Sequence, residues 1–161
     1  VVKHNAATMP DDQAEQVFRH RNLPLLLLQA RERVIARFRP ALNAAGVTEQ
    51  QWRIVRALLE SGPLEPRQIV TLCAISSPSL AGVLARMDDL GLVRRVRLDH
   101  DARRVQVSLT PRSRALARKL APQIEAIYAA IEQRIGHRFT QDFYRTLDEL
   151  IVLLDDGEPP E

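Results

Sequence analysis

Five arginines fall within eleven residues: Arg94, Arg95, Arg97, Arg103 and Arg104, opposed in that stretch only by Asp99 and Asp101. Guanidinium is planar, always charged, and suited to phosphates and base edges. So many like charges repel one another unless an anion relieves them, so the cluster points to a polyanionic partner; the alternative is a solvated charged turn. Other reactive types form no pattern. His4, His20, His100 and His137 are scattered, none at a Cys or Asp/Glu spacing for a triad or a metal, and six glycines make no phosphate-binding loop. The expectation is therefore no catalytic residues, no metal site and no cofactor. The single thiol, Cys73, sits among Ile69, Val70 and Leu72. It excludes a disulfide framework within the chain, which fits a reducing, cytoplasmic setting, and it reads first as a small buried hydrophobe.

The charge of the whole chain is less telling than its distribution. A net charge of +3 over 161 residues divides into +3 for residues 1–60, +5 for 61–118 and −5 for 119–161. Of 23 basic residues only Lys3 and Lys119 are lysine; a GC-rich coding sequence would also favour arginine. No apolar run approaches the roughly 18 residues of a membrane span, so no membrane partner is expected.

The elements that must position the arginines are mostly helical by period. A first helix is expected over Leu23–Ala44, with Pro24 in its first turn and Pro40 kinking or ending it. Thr48-Glu49-Gln50-Gln51 reads as a capping box, followed by the stripe Trp52, Val55, Leu58 and Leu59. A short helix is predicted over Pro66–Ala74. After a break at Ile75-Ser76, Ser77 as cap and Pro78 as first helical residue open a fourth helix. Its inner face is Leu80, Val83, Leu84 and Met87, and Ser79, Gly82 and Arg86 share the other face. The period then changes to two. Two short strands, within 92–98 and 105–109, form a hairpin whose connector is expected to be Asp99–Arg104. Thr110-Pro111 starts a long helix containing Pro122, and Thr140 is expected to cap a last one.

Helix, helix, short helix, turn, helix and basic hairpin is the order of a winged helix-turn-helix. The fold class is mainly α with a small β-hairpin wing, flanked by terminal helices. In that motif the second helix of the pair enters a DNA major groove by its N-terminal residues, here Ser76, Ser77, Pro78 and Ser79. The hairpin carries arginine to the neighbouring backbone or minor groove.

These residues carry a resemblance to the MarR family of transcription regulators over about residues 22–155. It rests on Val47–Trp52, Arg86–Arg95, Asp99–Arg104 and Val107–Thr110, with Asp101-x-Arg103 the most specific mark. Leu26–Glu32, Phe38-Arg39-Pro40, Thr48–Arg53 and Pro78-Ser79-Leu80 resemble, more narrowly, the family's repressors of homoprotocatechuate (4-hydroxyphenylacetate pathway) operons. The resemblance implies a homodimer on a pseudo-palindromic double-stranded operator, with an aromatic carboxylate as effector. It implies minor-groove insertion for Arg103, oriented by Asp101, and a phosphate clamp for Arg86. Arg94, Arg95 and Arg97 contact phosphates or point to solvent, and Arg104 is counted with the DNA-binding residues. Arg31, Arg37, Trp52 and Arg53 are the effector candidates; otherwise Trp52 is core and the arginines pair with Glu32, Glu49 or Glu60. Some relatives sense oxidants, so redox sensing by Cys73 is the alternative. The implied division is a flexible segment 1–21, a dimerisation helix 22–46, the winged helix-turn-helix 47–110, dimerisation helices 111–155 and an acidic tail 156–161.

Overall fold

In the computed structural model, which describes residues 19–98 and 101–155, the order is α1 (Leu23–Ala44), α2 (Glu49–Ser61), α3 (Pro66–Cys73), α4 (Ser77–Asp89), β1 (Val93–Leu98), β2 (Asp101–Leu109), α5 (Pro111–Ile135) and α6 (His137–Leu153). The side chains of Leu98, Asp101, Ala102 and Arg103 lie outside that description, as does the acidic tail from residue 156. The chain divides into two units, one up to Val34 and one from Ile35 onward. In the first, the Leu25 N–H donates to Asn22 Oδ1 at 3.0 Å, satisfying one orphan donor of the α1 start. The leucines that follow, Leu25–Leu28, are all exposed.

The second unit holds the core. The capping box forms as read: the Gln51 N–H donates to Thr48 Oγ1 at 3.2 Å and the Thr48 N–H to Gln51 Oε1 at 2.9 Å. It fixes the start of α2, so that Ile54, Val55 and Leu58 point inward and are fully buried. They meet Ile69 and Cys73 of α3 and all four residues of the expected inner face of α4. Each such side chain contributes about 1.5–3 kcal/mol on removal from water.

α3 and α4 meet at a bend of 109°, within the range of a helix-turn-helix. The turn is made by Ala74, which ends α3 in the left-handed conformation at φ 46°. Gly91, at φ 65°, stops α4 and turns the chain into the hairpin. β1 and β2 pair antiparallel from Val93↔Leu109 to Arg97↔Val105, and Leu64 adds a bridge to Val107 through two backbone hydrogen bonds of 3.0 and 2.8 Å.

α1 spans Leu23–Ala44 as expected, and of the two outcomes expected of Pro40 it does not end the helix; a proline removes one backbone bond, and burial of Phe38 and Leu42 on either side anchors the helix across it. Three expectations are corrected. α4 begins one residue early, with Ser76 at the cap. The hairpin connector is shorter than Asp99–Arg104: β2 already starts at Asp101, and the register jumps from Arg97↔Val105 to Leu98↔Asp101, a bulge that absorbs Ala102, Arg103 and Arg104. Charged side chains do not prevent backbone pairing in a two-stranded ribbon, which is why composition misread that segment. Thr140 does not cap the last helix. α6 starts at His137, and the Thr140 hydroxyl donates back to the Gly136 carbonyl at 3.0 Å from within it.

The terminal helices differ from this core. The stripe on α5 is buried at Leu120 and Ile124 but exposed at Tyr128 and Ile135. On α6, Phe139, Phe143 and Ile151 through Leu153 are exposed, as is Leu154 just past its end.

Candidate nucleic-acid interface and ligand cavity

The inward set on α4 leaves its other face to solvent. Ser76, Ser77, Pro78, Ser79, Ala81 and Arg86 are all exposed. The Ser76 hydroxyl donates to Ser79 Oγ at 2.9 Å, and its oxygen caps no backbone N–H of the helix. The Arg86 guanidinium lies back along the helix: a Cβ built on Gly82 would meet its Nη1 at 3.6 Å. The helix thus presents a polar, low-relief N-terminal end with a cation one turn behind it.

The hairpin arginines sort into three groups. In an antiparallel ribbon, opposed residues share a face. Val93 and Arg95 therefore lie on the inner side with Leu109 and Val107, while Arg94 and Val96 face out. Arg95 meets Asp88 of α4 through Nε at 3.0 Å and Nη2 at 2.8 Å, both on Oδ2. Arg104 forks onto Glu65 at the start of α3, its Nε at 3.0 Å from Oε1 and its Nη2 on the same oxygen. These two arginines tie the wing to the helix pair. Arg94 and Arg97 are exposed and have no acidic partner among the described residues. The side chains expected to insert into a minor groove and to orient that insertion, Arg103 and Asp101, lie outside the described residues.

The effector candidates fall in both units. Arg31 belongs to the first unit and is exposed; Arg37 is also exposed. Arg53 is engaged within the fold. Its Nη1 donates to the Cys73 carbonyl at 2.5 Å and its Nη2 to Glu49 Oε1 at 3.0 Å, so it holds the orphan carbonyls at the end of α3. Trp52, by contrast, lines a cavity. That cavity, about 250 Å³, lies between α2 and α5, with Trp52, Leu59, Ala117 and Ile124 as apolar wall and Arg56, Arg114 and Arg118 as its cations. Arg56 is paired with Glu60 at 2.6 Å. Arg56 was signalled in the sequence, lying one helical turn after Trp52 on the same face; Arg114 and Arg118 gave only their mutual spacing of four. A cavity of roughly 150 Å³ accepts benzene, so this one has room for a single substituted ring.

Cys73 is 1% exposed. Its thiol donates to the Arg53 carbonyl at 3.7 Å. Burial pushes the thiol above its ordinary pKa, with Arg53 opposing. A buried, protonated thiol is a poor nucleophile, which disfavours the redox alternative. Among the described residues, no group of His, Cys, Asp and Glu could hold a metal ion, and no single helix is long and apolar enough to cross a membrane.

Comparison with known proteins gives this geometry a context. A model of the MarR family matches residues 45–104. The homoprotocatechuate degradative operon repressor of Escherichia coli is 40% identical over 134 residues, 83% of this chain and 90% of that protein. The HTH-type transcriptional regulator FarR of Neisseria gonorrhoeae is 39% identical over 118 residues, 73% of this chain and 81% of that protein. Among solved structures, NadR in complex with 4-hydroxyphenylacetate has a TM-score of 0.74 at 37% identity, covering 83% of this chain and 94% of that one. With an exposed reading helix, a basic wing and relatives of this length and identity, the chain belongs to the MarR family and is a transcription regulator, not an enzyme.

Proposed function

We propose that this protein is a cytoplasmic homodimeric repressor of an aromatic-compound catabolic operon, released from its operator by an aromatic carboxylate. The observation that carries the reading is the α2–α5 cavity, where an indole, aliphatic walls and the Arg56 guanidinium stand together in a chain 40% identical to a homoprotocatechuate operon repressor. The ring stacks against the apolar wall, and the carboxylate takes a charge-assisted hydrogen bond from Arg56, displacing Glu60.

Two copies join through the first helix and the last two, whose exposed apolar residues a partner covers. The paired reading heads then sit about 34–36 Å apart on one face of a pseudo-palindromic duplex. Ser76, Ser77, Pro78 and Ser79 meet base edges and Arg86 clamps a phosphate. Arg103, oriented by Asp101, enters the minor groove, and Arg94 and Arg97 meet phosphates. Arg95 and Arg104 act by holding the wing at its angle to α4. Ala81 and Gly82 offer no hydrogen-bonding side chain, so contact there is apolar or by shape. The acid shifts the dimer from the DNA-competent arrangement by its difference in affinity for the two states and no more.

The test is a gel shift on the upstream DNA of the chain's own gene, with and without 4-hydroxyphenylacetate. The reading expects a specific complex lost as the acid is added; a complex unmoved at millimolar acid refutes the effector claim. Arg103→Ala weakens the complex, and unchanged affinity removes the wing from the reading.

A further inference from the structure

The same cavity carries more positive charge than one carboxylate neutralises. Arg114 and Arg118 stand one turn apart on α5, both exposed, both on the cavity wall, and neither has an acidic partner among the described residues. Like charges at this spacing destabilise a helix. They also sit in the opening turns of α5, whose first turn holds no acidic residue. That end of a helix already carries partial positive charge and favours anions. Arg56 adds a third guanidinium across the cavity, offset by Glu60 alone. Three guanidiniums against one carboxylate leave an excess of two positive charges around an apolar slot the size of one ring.

We infer that the effector is an aromatic acid with two anionic groups. One group is held by Arg56, on the α2 side, and the second by Arg114 and Arg118, on the α5 side, with the ring along Trp52. The inference rests on reading the α2–α5 cavity as the effector site and names the class of acid that site prefers. A monoanion leaves the α5 pair uncompensated. A dianion relieves both the mutual repulsion and the conflict with the helix dipole.

The experiment is isothermal titration of the full-length protein at fixed ionic strength with 4-carboxyphenylacetate, a dianion, and 4-methylphenylacetate, a monoanion of nearly the same shape. The dianion is expected to bind at least about tenfold more tightly. In the Arg114→Gln/Arg118→Gln variant the ratio between the two acids is expected to fall toward one. Both side chains are exposed, and a matching circular dichroism melt confirms the variant's fold. Equal binding of the two acids by the native chain overturns this inference alone, as does a dianion preference that survives in the variant. Failure of both acids to bind overturns it together with the effector reading.

Discussion

Helices α4 and α6 are built from similar apolar residues but handle them in opposite ways. On α4, Leu80, Val83, Leu84 and Met87 are at most 4% exposed, and everything facing solvent is small or polar. At the end of α6, Ile151, Val152, Leu153 and the capping Leu154 are 67–80% exposed. The reading head is complete within one chain. The terminal helices are not, because contiguous apolar surface of that kind marks an association site. Stability of the head and oligomeric state of the protein should therefore be separable by mutation.

The strongest way to break the comparison is to charge α6. Phe143→Glu/Ile151→Glu should leave the circular dichroism spectrum largely intact, give a monomer by sedimentation, and lower operator affinity by about 100-fold or more, since two linked heads gain roughly 10²–10⁴ over one. A dimer that persists would show that α6 is not the missing interface. Next comes the head itself: Met87→Ala leaves a cavity in the packed core and should reduce unfolding free energy by about 2–5 kcal/mol in a denaturant titration. A loss under about 1 kcal/mol would mean that the α4 core is less tightly determined than its burial implies.

Smaller effects sharpen the division within the wing. Arg94→Ala or Arg97→Ala should lower affinity about equally for all DNA sequences and reduce the salt slope by about one. Arg95→Ala removes an internal tie instead, so Asp88→Ala should reproduce its phenotype; if only the arginine change matters, Arg95 contacts DNA directly. The smallest expected change is a gain. Ala74→Gly relieves a left-handed alanine worth roughly 1–2 kcal/mol against about 0.4–1 kcal/mol of added unfolded-state entropy. The net is a stabilisation near 0.5–1 kcal/mol, visible as a higher melting temperature.

Most of the architecture was legible because it is local. A capping box acts over three residues and an inner face over three or four, so Thr48, Gln51 and the α4 stripe could be read directly from spacing. What escaped the reading depends on groups far apart in the chain. Arg104 meets Glu65 across 39 residues and Arg53 meets the Cys73 carbonyl across 20. Neither pairing leaves a trace in periodicity. The same holds for the cavity: its cations come from two helices separated by the whole reading head, and the sequence offered the nearer Arg53 in place of Arg56. Strand alternation separates two faces but does not say which is inner; here Arg95 points inward beside Val93 while Val96, 47% exposed, points out.

The bare backbone at Gly82 has an effect beyond its own position. Because the Arg86 guanidinium rests above it, the volume at residue 82 governs where that cation points. Alanine fits at ordinary contact distance, whereas a longer or branched side chain would lift the arginine off the helix and re-aim it. A population of variants could thus explore new phosphate registers by changing a residue that carries neither charge nor hydrogen bond, leaving the charged residue itself untouched.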